Sequence, residues 1–317
     1  MKDQIIVVLG PTASGKTRFA VRLATQLGGE IISADSRQVY RGMDVGTGKD
    51  LADYVYEGKK VPHHLIDIAE AGERYNVYRY LHDFFEVYQG VRARGVVPIL
   101  CGGSGMYIEA VCKGYDMPEV PEDRELRKEC QEVSMEELMA RLSSFGPLHN
   151  TTDTQSRKRL IRAIEIAQYR KMVAQDACTE RNTSGTEQDY PKIDPYIIGL
   201  YVPAEERRAR IDRRLEERLQ TGMIEEAQRL MQEGLSVEDM MYYGLEYKYL
   251  ALYLTEKLSY EEMKGLLRIA IHQFAKRQMT WFRGMERRGL KIQWVDAMRN
   301  EADNVQEVMG HLQGKLH

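Results

Sequence analysis

The sequence is poor in three things, and each shortage narrows what the protein can be. It has only four cysteines in 317 residues, Cys101, Cys112, Cys130 and Cys178. None forms a Cys-x-x-Cys pair and no spacing suits zinc, which argues against a disulfide scaffold or a structural metal and fits a reducing compartment. No apolar run approaches the roughly 18 residues of a membrane span, so no membrane partner is expected. The first apolar run begins at Ile5, leaving no room for a secretion or transit signal. A cytoplasmic monomer is therefore the expectation. Positive charge is also short: 45 Lys and Arg face 48 Asp and Glu, so the molecule as a whole is no polycation for nucleic acid. Repeats of fixed period and long low-complexity tracts are missing too.

What is there is unevenly distributed. Residues 157–171, "RKRLIRAIEIAQYRK", hold six basic residues against one Glu. From Lys264 to Lys291 there are eight against one. Such stretches are either solvated helix faces or anion-binding patches on an acidic body, and both readings stand.

The strongest signal is "GPTASGKT", residues 10–17, directly after the apolar run "IIVVL". Two glycines, a lysine and a hydroxyl at this spacing make a P-loop, provided that a strand precedes and a helix follows. "QIIVVLG" reads as a buried strand, and Phe19, Ala20, Leu23 and Leu27 recur with helical period. The loop amides and the helix N-terminus would then hold an anion, Lys16 would add a full charge, and the Thr17 hydroxyl would ligate Mg²⁺. The bland alternative is a glycine-rich turn.

Further along, "EIISAD", "VVPILCGG" and, more weakly, "HHLIDI" read as strands, with a helical pattern over "YNVYRYLHDFFEVYQGVRARG". Strands alternating with helices predict a parallel, doubly wound α/β sheet over residues 1–115, with ligands beyond the carboxyl ends of its strands. Residues 116–190 lose the strand signal and predict a helical insertion ending in the polar segment 179–192. Residues 191–317 return with "YIIGLYVP" and continue as C-terminal helices up to "KIQWVD".

Asp35, at the end of the second strand, has two open readings: a metal ligand or proton acceptor, or a helix N-cap. Its rim would also carry Ser104, in the glycine-rich turn "CGGSG". "VVPILCGG" ends in glycines rather than an acid, which argues against a motor-type ATPase, where a carboxylate is wanted there. The pair His63–His64 lacks companions at metal-ligand spacing and reads as structural or substrate-facing. Trp281 and Phe282 read as an aromatic anchor on an amphipathic helix.

Taken in order, "GPTASGKT", "DSRQVYRGMDVGTGK", "PHHLIDI", "CGGSGMYIEA", "RKRLIRAIEI" and "AKRQMTWFR" resemble the motifs of tRNA dimethylallyltransferases, over residues 8 to about 295. The absence of an appended zinc finger makes the bacterial type the better match. The resemblance implies transfer of a dimethylallyl group from dimethylallyl diphosphate to N6 of the adenosine 3′ of the anticodon, with pyrophosphate released and Mg²⁺ as cofactor. It implies that Gly10, Pro11, Thr12, Ala13, Ser14, Gly15, Lys16 and Thr17 hold the diphosphate, with Thr17 on the metal. Asp35 resembles the general base, and Ser36, Arg37 and Gln38 the contact to the target nucleotide. Ser104 stands where the family usually has Thr. Arg127 matches a substrate-facing arginine, and Lys158, Arg159, Leu160, Ile161 and Arg162 match the tRNA contact of the insertion. Lys276 and Arg277 fall in the last basic motif. The family's Gly-Tyr-Lys/Arg segment stands here as "GLEYK", with Glu246 in place of glycine and Lys248 aligned to the basic residue. Two alternatives share the loop: an adenylate isopentenyltransferase, which needs no long basic arm, and a small-molecule P-loop kinase.

Overall fold

The apolar runs before Gly10 and Gly102 show no polar alternation, as befits strands covered on both faces. In the structure, a computed structural model describing residues 4–115, 120–146, 156–179 and 190–316, they become the centre of a sheet. The strands are β1 (Gln4–Leu9), β2 (Glu30–Ala34), β3 (Val55–Tyr56), β4 (Lys59–Lys60), β5 (His63–His64), β6 (Pro98–Gly102), β7 (Asp194–Tyr201) and β8 (Ile292–Asp296). Strands β3 and β4 form a small antiparallel hairpin, and the other six form one sheet in the order β5-β2-β6-β1-β7-β8. Every pairing in that sheet is parallel.

Alternate residues face opposite ways. Ile6, Val8, Ile31, Ile99, Cys101, Ile198 and Leu200 pack under α1 (Lys16–Leu27) and α12 (Glu301–Leu316). Their neighbours Val7, Leu9, Ile32 and Leu100 are equally buried, on the side of α2 (Val77–Ala93) and α3 (Gly105–Lys113). This is the doubly wound sheet expected. The segment "HHLIDI" contributes only a two-residue edge strand. There His64 Nε2 lies 2.7 Å from Glu30 Oε2 and the His63 ring packs 4.2 Å from that of Tyr54, so both histidines are structural.

The register decides where the chemistry can sit. Leu9, Gly102 and Ala34 lie in one row across β1, β6 and β2. Gly10, Gly103 and Asp35 are therefore each one residue beyond the same edge. The order also places β1 between β6 and β7: the connection from β1 to β2 runs to one side and that from β6 to β7 to the other, and open α/β sheets bind ligands at such a switch.

The chain divides into two compact units, residues 1–115 with 190–317, and residues 116–189. Tyr190 belongs with the sheet, its ring stacked 4.1 Å from Phe85. Most of the polar segment 179–192 lies outside the described residues. The second unit consists of α4 (Arg124–Gln131), α5 (Met135–Ser143) and α6 (Arg157–Thr179). Its core is Leu126, Cys130, Leu138, Leu142, Leu160, Ile161 and Ile164. Leu160 and Ile161 are therefore corrected: at 0% and 7% exposure they stabilise the insertion and offer nothing to RNA. Arg127 also turns inward, donating to both oxygens of buried Glu165 at 2.7 and 2.9 Å. Arg162 donates to Glu165 and to the Val120 carbonyl. A carboxylate so buried needs such partners, so both arginines hold the insertion together. Lys158 and Arg159 remain exposed.

The first unit continues after β7 with α7 (Ala204–Gln220), α8 (Met223–Gln232), α9 (Val237–Tyr242), α10 (Leu245–Leu254) and α11 (Tyr260–Arg287). Ser236 and Ser259 start α9 and α11 with capping boxes. Helix α11 runs for 28 residues and packs on α3, α7 and α10. No described helix is long and apolar enough to cross a membrane.

Candidate active site

Beyond the shared strand edge lies a cleft of about 630 Å³, lined by both glycine-rich turns, the loop after β2, and helices α7, α10 and α11. The P-loop forms its floor. Ala13 and Gly15 adopt left-handed backbone, φ 62° and 81°, which turns successive amides toward one side. Thr12, Ala13, Gly15, Lys16 and Thr17 face the cleft. Gly10, Pro11 and Ser14 are buried beneath these residues. Gly10 lets Ser14 tuck underneath, since a Cβ at Gly10 would sit 2.5 Å from Ser14 Oγ.

Burial pushes the Lys16 ammonium below the ordinary lysine range, and the nearby charge of Asp35 opposes that drop. A buried cation of this kind is incomplete without an anion. Arg214, from α7, donates to Thr12 Oγ1 and also lines the cleft. Burial, then the neighbouring Arg218, push its guanidinium down to about 10. The floor and this wall thus hold three cations, Lys16, Arg214 and Arg218, in one partly buried space.

Asp35 is not a helix cap, because turns rather than a helix follow β2. Its Oδ1 accepts the Arg37 N–H at 2.9 Å, a local turn that fixes the carboxylate at the cleft. Ser104 precedes α3 yet does not cap it. Its hydroxyl instead accepts the Ser36 N–H at 2.9 Å and lies 3.2 Å from Ser36 Oγ. That bond ties the turn after β6 to the turn after β2. Arg37 donates to the Tyr242 carbonyl at 2.7 Å, and Gln38 to the Gly48 carbonyl at 3.0 Å. Both residues also line the cleft.

Helix α10 resolves the departure at "GLEYK". The left-handed position is Gly244, φ 140°, which precedes the helix. Glu246 lies in the first turn, where helical backbone requires no glycine. Burial raises its carboxyl, against the charges of Arg218, Arg214 and Arg37. Lys248 lines the same wall, with its ammonium 5.1 Å from the Tyr249 ring centre.

Four contributors are given no place at the site from the sequence: Arg214 and Arg218 lie outside its motifs, whereas Gln278 and Trp281 fall within the last of them. Arg214 and Arg218 flank the apolar seam Ile211, Leu215, Leu219 of α7, and that adjacency is a usable signal. Gln278 bridges both glycine-rich turns: its Oε1 accepts the Thr12 N–H at 2.8 Å, and its Nε2 donates to the Gly103 carbonyl at 2.9 Å. Trp281 lines the cleft with a buried indole N–H that has no partner, while Phe282 beside it is the core anchor. Arg277 lines the mouth; Lys276 is exposed beside it.

Glu226, on α8, sets the shape of the loop after Tyr40. Its carboxylate accepts the N–H groups of Asp44, Val45 and Gly46 at 2.7 to 2.9 Å, and the Tyr247 hydroxyl at 2.7 Å. Gly46, Thr47 and Gly48 then form part of the cleft wall. Hydrogen bonds to charged groups contribute about 1.5–3 kcal/mol each, and these four share one acceptor. Glu226→Ala is expected to lower unfolding stability by about 2–4 kcal/mol in urea denaturation. A change below about 0.5 kcal/mol, the level of an ordinary surface substitution, would mean that the loop keeps its form without the carboxylate.

Comparison with known proteins agrees with this geometry. A family model described as IPP transferase matches residues 38–285, and one described as isopentenyl transferase matches residues 3–62. A tRNA dimethylallyltransferase of Parabacteroides distasonis is 53% identical over 313 residues, 99% of each chain. One from Porphyromonas gingivalis is 54% identical, over 96% of this chain and 98% of its own. The crystal structure of a tRNA isopentenylpyrophosphate transferase from Bacillus halodurans superposes with a TM-score of 0.69 at 30% identity, covering 99% of this chain and 97% of that one. A cationic P-loop cleft at the carboxyl edge of a doubly wound sheet, matched by these relatives along nearly its whole length, assigns the chain to the IPP transferase family of tRNA dimethylallyltransferases.

Proposed function

We propose that the cleft binds dimethylallyl diphosphate on the P-loop and transfers its prenyl group to N6 of the adenosine 3′ of the anticodon in tRNA. The observation that carries this reading is the convergence of Lys16, Asp35 and Ser104 on one cleft. Its lining includes the cations Lys16, Arg214 and Arg218. The same lining includes Met106, Leu245, Ile271, Phe274 and Trp281, which suit an apolar tail and a base.

The adenine N6 lone pair is delocalised into the ring, so the amine is a poor nucleophile. Asp35 holds it in line with the donor carbon and takes its proton as the N–C bond forms. The C–O bond to the diphosphate breaks at the same time, and pyrophosphate leaves with the electron pair. Lys16, Arg214 and the loop amides from Ala13 onward stabilise that developing charge. Arg218 adds a second arginine to the same wall. The target base must leave its stack to reach Asp35, at a cost of roughly a few kcal/mol for a nucleotide that is already unpaired.

Among the described residues, no three acidic, His or Cys groups form a metal cage. Mg²⁺ often takes only one or two protein ligands, with water and phosphate oxygens completing the shell. The Thr17 hydroxyl at the cleft floor suits that role, and the ion would neutralise charge on the leaving group. The same reading makes the protein a cytoplasmic monomer that meets tRNA through exposed lysines and arginines.

The direct test is mass spectrometry of tRNA nucleosides after incubation with dimethylallyl diphosphate and Mg²⁺. A prenylated adenosine in the anticodon loop is expected, and unmodified tRNA would defeat the reading. For the RNA grip, Arg159→Ala, Lys276→Ala and Arg277→Ala should each weaken binding evenly across tRNA sequences. Each should lower the slope of log affinity against log salt by about 0.7–0.9. Unchanged slopes in all three would return the basic stretches to solvated helix faces.

A further inference from the structure

We propose that Gln278 is a positioning residue that couples tRNA binding on α11 to the diphosphate affinity of the P-loop; this rests on the prenyl-transfer reading above. Gln278 is 7% exposed. Both ends of its amide are engaged, one on each glycine-rich turn. The fit is close: a Cβ on Gly103 would lie 2.6 Å from Gln278 Nε2, so a larger residue at 103 would displace the amide.

Its neighbours on the helix are more exposed. Lys276 and Arg277 are exposed, about 200° and 100° around the helix from Gln278 at 3.6 residues per turn. One turn of α11 thus presents an exposed lysine, an arginine at the cleft mouth and a glutamine inward to the donor loop. Ten residues further on, Arg288 grips buried Glu109 of α3 at 2.5 and 2.7 Å. That ion pair anchors the end of α11 to the helix that begins at Gly105. RNA phosphates drawn to Lys276 and Arg277 therefore bias the position of a helix turn whose inner side chain holds Thr12. With Thr12 held, the amides from Ala13 onward are preset for an anion; released, the loop must be ordered when the donor arrives. Ordering by one ligand lowers what the other must supply, and the coupling is necessarily reciprocal.

The probes are inorganic pyrophosphate with Mg²⁺ and an unmodified tRNA, each titrated calorimetrically alone and in the presence of the other. In the wild-type protein, tRNA is expected to tighten pyrophosphate binding at least about fivefold, and pyrophosphate to tighten tRNA by the same factor. Gln278→Met keeps the volume and removes both hydrogen bonds. It should bind tRNA alone as the wild type does, while its pyrophosphate affinity no longer responds to tRNA. Gln278→Glu retains the acceptor for Thr12 and loses the donor to Gly103, so it should restore part of the response although its charge weakens pyrophosphate binding overall. Coupling that is absent in the wild type, or that persists in Gln278→Met, overturns the proposal while leaving prenyl transfer intact. Failure of either probe to bind the wild-type protein defeats the prenyl-transfer reading and this one with it. Should Gln278→Met misfold, loss of the response in Gln278→Glu as well would point to a purely structural role and overturn the coupling.

Discussion

Asp35→Asn is expected to slow prenyl transfer by about 10²–10⁴, the usual worth of a positioned general base, while tRNA binds as before. The substitution is a clean probe because of the local geometry. Asp35 uses Oδ1 to accept the Arg37 N–H, and an asparagine Oδ1 can keep that bond. The turn, and with it the Arg37 anchor on Tyr242, should therefore survive. What changes is the group presented to the cleft: an amide cannot take the proton that N6 must lose. Single-turnover rates would show the loss, and filter binding would show an unchanged tRNA affinity. Turnover near the wild-type rate would remove Asp35 from the mechanism. A fall in tRNA affinity equal to the fall in rate would make it a binding group instead.

The second large effect is expected at Lys16. Lys16→Ala should lower kcat by about 10²–10³, as does removal of one preorganised oxyanion donor elsewhere, and should weaken donor binding as well. Both parameters suffer because the charge acts on the ground-state diphosphate and still more on the departing pyrophosphate. The pH dependence carries a definite sign. Burial lowers the Lys16 pKa in the free protein, whereas a bound diphosphate favours the ammonium and raises it. Donor affinity should thus be greatest below the lowered pKa and decline as pH rises through it, at lower pH than an ordinary lysine near 10.4 would give. In Lys16→Ala this decline should vanish. The assay is labelling of tRNA by radioactive dimethylallyl diphosphate in nucleotide-free buffer, with pyrophosphate as a competitive inhibitor. Strict dependence on ATP, or transfer of labelled phosphate to an acceptor, would defeat prenyl transfer and favour the kinase alternative.

Much of this protein was legible without coordinates, and for a local reason. A P-loop is dictated by residues adjacent in the chain: an apolar strand, glycine where φ must be positive, and a helix that supplies its own N-terminus. Residues 4–27 fold as that string requires. The run "VVPILCGG" likewise reveals a buried strand ending in a close-packed turn, whatever lies beside it.

Other features needed the tertiary structure, because they depend on pairs of residues far apart in sequence. Whether Asp35 caps a helix or faces a ligand was open until the row Ala34–Gly102–Leu9 placed it beside the P-loop. Leu160 and Ile161 sit in a basic motif, but only the packing of α4 and α5 against α6 shows that they are core. Arg214 reaches Thr12 across 202 positions, Gln278 reaches it across 266, and Glu226 grips Gly46 across 180. No local periodicity encodes such distances. Backbone conformation is set by neighbours within a turn or two, whereas the convergence of charged and amide groups on a cleft is set by which helix faces pack together. The sequence alone determined the anion loop, the sheet class and the family's order of motifs; packing alone decided which side chains meet the anion.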